Sequence, residues 1–337
     1  MPGPESRGAE GHVYLAVVGD MEISRPEPEK VFENVLPELR RADIRFGGID
    51  PPLSDKGAPV QGKIALRNHP GMVAGYVAGG FDVLAFSTNH CLDYGVEAFL
   101  ETLEVLEKHH IRHTGVGRNI DEARTPALVE RKGVRFGFLS YLLNLPLGYN
   151  AHPGKPGAAP VRQDPLFGPP YLNEEDLEAM KADVEKTRPA ADVLVVSFHW
   201  GASQSRTLTL SQKAAAHAAV EAGADLVIGH HPHILQGIEV YRGKVIFYAL
   251  GNFVLDHDHP MFAPTVKESV LVKCLVEGKR IRRVSFVPVL IGNGGKPRVL
   301  TQEEGKCLEI MGAVQRLSGK LNTRLHISGG EASVLAG

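Results

Sequence analysis

Again and again in this chain an apolar run of strand length stops at a residue able to bind a metal. Residues 13–18 break at Gly19-Asp20, 44–49 at Asp50-Pro51-Pro52, 82–86 at Ser87-Thr88-Asn89-His90, 192–198 at His199, and 225–228 at Gly229-His230-His231. Amphipathic stretches separate these runs, so strand and helix alternate and the pattern predicts an α/β fold. Open α/β sheets gather ligand sites at the carboxyl ends of their strands, because successive loops converge on one edge. Loops spread from residue 19 to 252 that serve one site belong to one domain, expected over 12–330.

The remaining elements follow from spacing. Val31, Phe32, Val35, Leu36 and Leu39 predict a helix over 29–41, and similar periodicity predicts helices over 96–109, 173–187, 211–222 and near 303–317. Strand signals recur at 126–131 and 134–141, and the C-terminal third is strand-rich at 238–240, 245–250, 268–276 and 281–289. Glycines and prolines crowd 144–170, which predicts a long surface loop, an ordinary insertion or a lid. The polar leader 1–11 reads as a disordered tail with no secretion signal.

Composition excludes several classes of function. A net charge of −2 provides no field to attract nucleic acid or anionic lipid. The apolar runs are too short to span a bilayer. Cys91, Cys274 and Cys307 form neither a disulfide framework nor a zinc-ribbon spacing, which suits a reducing compartment. The expectation is a cytoplasmic protein bound neither to membrane nor to nucleic acid.

His231-Pro232-His233 is the sharpest local signal. In an extended segment residues i and i+2 face the same side, so both imidazoles can meet one ion while His230 faces away. Asn89 offers an amide oxygen, and the adjacent His90 can act as an acid without binding metal. His199 stands at a strand end before Trp200-Gly201. Each of these alone is weak, since Asp caps helices and a lone His is more often structural. Together Asp20, Asp50, Asn89, His199, His231 and His233 supply mixed oxygen and nitrogen donors suited to two divalent transition metal ions, Mn, Zn or Fe. Around them, Arg25 is open between clamping an anionic substrate group and a surface salt bridge. Asp93 is open between orienting His90 and capping a helix. Asn252 is a candidate to touch substrate or to support the metal loops. The tract Asp256-His257-Asp258-His259 reads as a solvated loop.

These residues carry a resemblance. Gly19-Asp20 with Arg25, Asp50-Pro51-Pro52-Leu53, the run from Gly80 through Asn89-His90 to Gly95, His199-Trp200-Gly201, and the run from Ala222 through His231-Pro232-His233 to Phe253 resemble the CapA/poly-γ-glutamate capsule synthesis family. That family is a branch of the calcineurin-like metallophosphoesterase superfamily. The resemblance implies a four-layer αββα sandwich, with Asp20 and His233 on one ion, Asn89, His199 and His231 on the second, and Asp50 bridging. It implies that His90, with Asp93 beside it, assists the leaving group. Where the superfamily's first motif has a histidine, this chain has Glu22, which offers a hard oxygen instead.

The function expected from this set is metal-dependent hydrolysis of a phosphoester on a small or polymeric anionic substrate. Hydrolysis or transfer at a γ-glutamyl amide on the same centre is the alternative, and a non-catalytic part in capsule assembly is the third.

Overall fold

The computed structural model describes residues 12–144, 146–164, 171–257, 261–292 and 294–335, so the expected disordered tail at 1–11 lies outside them. Two sheets dominate. In the larger, four parallel strands, His12–Glu22, Ile44–Ile49, Val83–Ala85 and Arg112–Thr114, lie side by side in chain order. Glu268–Glu277 and Arg280–Ile291 continue the sheet antiparallel from His12–Glu22. In the smaller, Val134–Leu142, Val193–His199, Leu226–His230 and Lys244–Phe247 run parallel, with Ala127–Arg131 and Ile238–Tyr241 antiparallel at the two edges.

Strand alternation sorts the side chains into three apolar layers. Val13, Leu15, Val17 and Phe46 of the larger sheet meet Phe136, Phe138, Val193 and Val195 of the smaller in an inner layer. Val18 faces outward on the larger sheet, where Phe99 and Leu103 of the helix Gly95–Lys108 cover it. Leu194, Val196 and Phe198 face outward on the smaller sheet, beneath the helices Glu174–Thr187 and Leu210–Ala222. Helix, sheet, sheet, helix is the four-layer sandwich expected of the sequence. Phe46 stacks on Phe138 across the two sheets with centroids 5.0 Å apart, both fully buried. Phe46→Ala should therefore cost about 3–5 kcal/mol, read as a lower urea midpoint at an unchanged slope.

Several local expectations are corrected. Only a 3-10 turn at Pro28–Lys30 and a short helix at Leu36–Leu39 form within 29–41. Pro37 has no N–H to continue a longer helix from Val31, although Val31, Phe32, Val35 and Leu39 are buried as their spacing implies. The first strand does not end at Gly19-Asp20; it continues to Glu22 through a register shift at Asp20. Such a bulge re-aims a side chain. Gly19 permits it, since a Cβ there would fall 1.9 Å from Gly251 O.

The 144–170 segment is a surface loop only in part over its described residues: Leu147, Gly148 and 152–154 are exposed, but others are not. Tyr149, Ala151, Ala158, Ala159 and Val161 are buried, and Leu142 N donates to Ala159 O at 2.9 Å. Its residues are small enough to pack their backbone against the sheet, which its glycines and prolines concealed. None of the described helices is long and apolar enough to cross a membrane.

Candidate metal centre

The carboxyl ends of the two sheets meet, and the candidate ligands gather at that junction. The larger sheet contributes Asp20 and Glu22 within its first strand, Asp50 directly after Ile49, and Asn89 after Val83–Ala85. The smaller contributes His199 and His230 as the last residues of adjacent parallel strands, paired in register.

Three donors already form a triangle. His199 Nε2 lies 2.6 Å from Asn89 Oδ1, His231 Nδ1 lies 3.2 Å from the same oxygen, and the two imidazole nitrogens are 3.1 Å apart. Ligands on one ion with bonds of about 2.0–2.2 Å stand roughly 3 Å from one another. Both imidazoles are held neutral, as coordination requires. Burial and the neighbouring His231 push His199 well below its ordinary range. Burial and His233 bring His231 down to about 3.

The carboxylates on the other side are buried and only partly satisfied. Asp20 Oδ1 and Asp50 Oδ1 are buried oxygens without a hydrogen bond. Burial pushes Asp50 up to about 6, and the charges of Asp20 and Glu22 add to this while His90 and His233 oppose it. Burial would raise Asp20 too, but His230, His199 and the His231 N–H outweigh it and hold the carboxyl well below the usual range. Buried carboxylate oxygens facing neutral imidazoles and an amide oxygen fit a divalent cation, which would supply the missing positive charge.

The histidine loop departs from its expected shape. His231 has φ 91° and His233 φ 61°, so the segment is a turn of left-handed residues and not an extended strand. Each such residue costs on the order of 1–3 kcal/mol, a strain that gathers at functional sites. Pairing of Asp20 Oδ2 with the His231 N–H at 2.9 Å holds the turn. His230 does not face away either. Its Nδ1 lies 2.9 Å from Asp20 Oδ1, off the line of a ring N–H, because strand alternation still governs it as the last ladder residue.

Asn252 is buried, and its amide is engaged within the protein. His233 Nδ1 lies 3.0 Å from Asn252 Oδ1, and Asn252 Nδ2 donates to Val266 O at 3.1 Å. Its place is to fix the His233 ring, and no part of it is free for substrate. Arg25 forms a salt bridge with Asp256, Nε to Oδ2 at 2.9 Å, so a substrate clamp would require that pair to open.

His90 Nδ1 sits 2.6 Å from Asp93 Oδ2. Asp93 is fully buried and receives the Leu66 N–H at 2.7 Å, Lys63 Nζ at 2.5 Å and the Tyr149 hydroxyl at 2.8 Å. Burial would raise the Asp93 carboxyl, yet His90 and Lys63 keep it below its ordinary value. Sequence reasoning missed Lys63 and Tyr149, since neither lies at a strand end. Of the 256–259 tract, His257 is half-exposed as a solvated loop implies and touches Glu22, whereas the Asp256 carboxylate is buried against Arg25; 258 and 259 lie outside the described residues.

Elsewhere, Glu107, His113 and Glu122 bring ligand atoms within 4.8 Å of one another. Arg118 donates to both carboxylates and offsets one of their two charges.

Residues 9–257 match the family described as bacterial capsule synthesis protein PGA_cap. The chain belongs to that family. Among relatives of this PGA_cap protein, capsule biosynthesis protein CapA of Bacillus anthracis is 29% identical over 299 residues, covering 85% of this chain and 69% of CapA. PGA biosynthesis protein CapA of Bacillus subtilis (strain 168) is 32% identical over 264 residues, 77% of this chain and 65% of that one. A "Probable polyglutamine synthesis accessory protein" of Mycobacterium tuberculosis is 30% identical over 199 residues, 58% of this chain and 50% of its own length. This chain thus spans between half and about two thirds of these relatives.

Proposed function

We propose that this PGA_cap protein is a binuclear metal-dependent hydrolase acting on a phosphoester. The observation that carries the reading is the triangle of Asn89 Oδ1, His199 Nε2 and His231 Nδ1, together with the buried Asp50 Oδ1 that makes no hydrogen bond. Asn89, His199 and His231 would hold one ion; Asp20, Glu22 and His233 would hold the other, with Asp50 between them. Two divalent ions of the Mn, Zn or Fe class acidify water and neutralise charge that builds on a substrate oxyanion. The protein's own part is to keep the His199 and His231 imidazoles neutral and to hold His90 by its Nδ1–H against Asp93, so that the other ring nitrogen, when the ring is protonated, can give its proton to a departing oxygen.

A second reading is cleavage or transfer at a γ-glutamyl amide, favoured by the relatives' names, which refer to capsule, PGA and polyglutamine synthesis. Protein purified without chelator is expected to carry about two equivalents of transition metal and to release p-nitrophenol from mono- or bis-p-nitrophenyl phosphate. Release from γ-glutamyl p-nitroanilide alone would move the conclusion to the amide. A folded protein that takes up no metal would sink both.

A further inference from the structure

Asp93 is fully buried, yet donors reach its carboxylate from three separate stretches of chain. His90 Nδ1 at 2.6 Å and the Leu66 N–H at 2.7 Å meet Oδ2. Lys63 Nζ at 2.5 Å and the Tyr149 hydroxyl at 2.8 Å meet Oδ1. A carboxylate offers about four lone-pair sites, so both oxygens are filled and the group has no freedom to turn. Burial and Asp93 raise the Tyr149 hydroxyl above its ordinary range, so it stays a donor.

Lys63 and Tyr149 both come from segments outside the two main sheets. Residues 53–68 form a loop closed at its base by the Leu53–Asn68 bridge, where Ser54 N donates to Asn68 O at 2.8 Å. The loop packs on Asp93 and Tyr94. Val60 N donates to Asp93 O at 2.8 Å, and the Arg67 guanidinium lies 4.2 Å from the centre of the Tyr94 ring. Tyr149 follows the strand Val134–Leu142, and Ala158 N donates to its backbone oxygen at 2.9 Å. The Lys63 ammonium lies 5.2 Å from the centre of the Tyr149 ring, so the two segments meet over Asp93. Lys63 makes one further contact: its ammonium also donates to the backbone carbonyl of Asn89, whose side chain is a corner of the donor triangle. One side chain thus ties a candidate metal ligand to the carboxylate that holds the His90 ring.

We propose that Lys63 and Tyr149 are positioning residues for His90, which fix its imidazole relative to Asn89 by locking the Asp93 carboxylate. The inference deepens the phosphoester reading above and rests on it for the effect on turnover. A proton donor acts only in a near-attack geometry, and a small misplacement of the ring is costly in rate.

The test uses the zinc-loaded full chain. Lys63→Met and Tyr149→Phe should each keep the parent's metal content and lower kcat about 10–100-fold with KM within about twofold. The loss should be greater on an alkyl phosphate than on p-nitrophenyl phosphate. On a His90→Ala background the same substitutions should cost under about twofold, because a residue acting through His90 has nothing left to position. A second readout needs no turnover. The proton between His90 Nδ1 and Asp93 should give a downfield proton NMR line, absent in His90→Ala, that exchanges with water faster in both variants than in the parent. Tyr149→Phe removes a single oxygen and keeps the ring packed, so it decides the point even if Lys63→Met fails to fold. Losses undiminished on the His90→Ala background, or a line as slow to exchange as the parent's, would overturn the assignment. If the parent cleaves neither phosphate, the phosphoester reading fails, and the NMR line alone decides whether Lys63 and Tyr149 hold the ring.

Discussion

His231→Ala is expected to remove one of two bound metal ions and to lower hydrolysis about a thousandfold. The imidazole holds one corner of the triangle with Asn89 Oδ1 and His199 Nε2, at 3.2 and 3.1 Å. Removing it leaves two protein donors from that set, too few for a stable site of three or four. A Lewis-acid ion stabilises a transition state by several kcal/mol, and about 4 kcal/mol corresponds to roughly a thousandfold in rate. The backbone complicates the choice of substitution, because φ at this position is 91° and alanine tolerates it poorly. His231→Asn, whose side chain suits left-handed backbone better, separates the two effects. Both variants should lose the ion, and the asparagine variant should keep more of the parent's thermal stability. Full metal content in either would show that the triangle is a hydrogen-bonded cluster and nothing more.

How much of this was legible in the sequence depends on whether a feature is local. The strand at Ile44–Ile49 ends where its apolar run ends, and His199 closes its strand as expected. Asn89, His199 and His231 converge because each follows or ends a strand of a sheet whose carboxyl edge is shared. What could not be read is what depends on distant pairing. Asp93 draws partners from positions 63, 66, 90 and 149, and only His90 is near it in sequence. Asp256 looked solvated because its buried partner, Arg25, lies 231 residues away. The His231-Pro232-His233 turn was misread for a different reason. Alternation describes a residue while its strand is in a ladder, and the ladder ends at His230.

His90→Ala is expected to keep both metal ions and to slow turnover by about 10²–10⁴-fold, the usual worth of a positioned acid or base. The residue follows a candidate ligand in sequence, but its side chain is bonded elsewhere. Nδ1 meets the Asp93 carboxylate at 2.6 Å, which makes Nδ1 the protonated nitrogen of the neutral ring and leaves the other nitrogen for chemistry. Burial would lower its proton affinity, but the charge of Asp50 and the Asp93 hydrogen bond outweigh that and raise it above the ordinary histidine range. The shift favours the charged ring, in which the second nitrogen also carries a proton that a departing oxygen could take. Donation matters most when the departing oxygen is strongly basic, so the loss should be larger for an alkyl phosphate than for p-nitrophenyl phosphate, whose phenolate leaves without help. An equal loss on both substrates would assign His90 to charge stabilisation, and an unchanged rate on both would remove it from the mechanism.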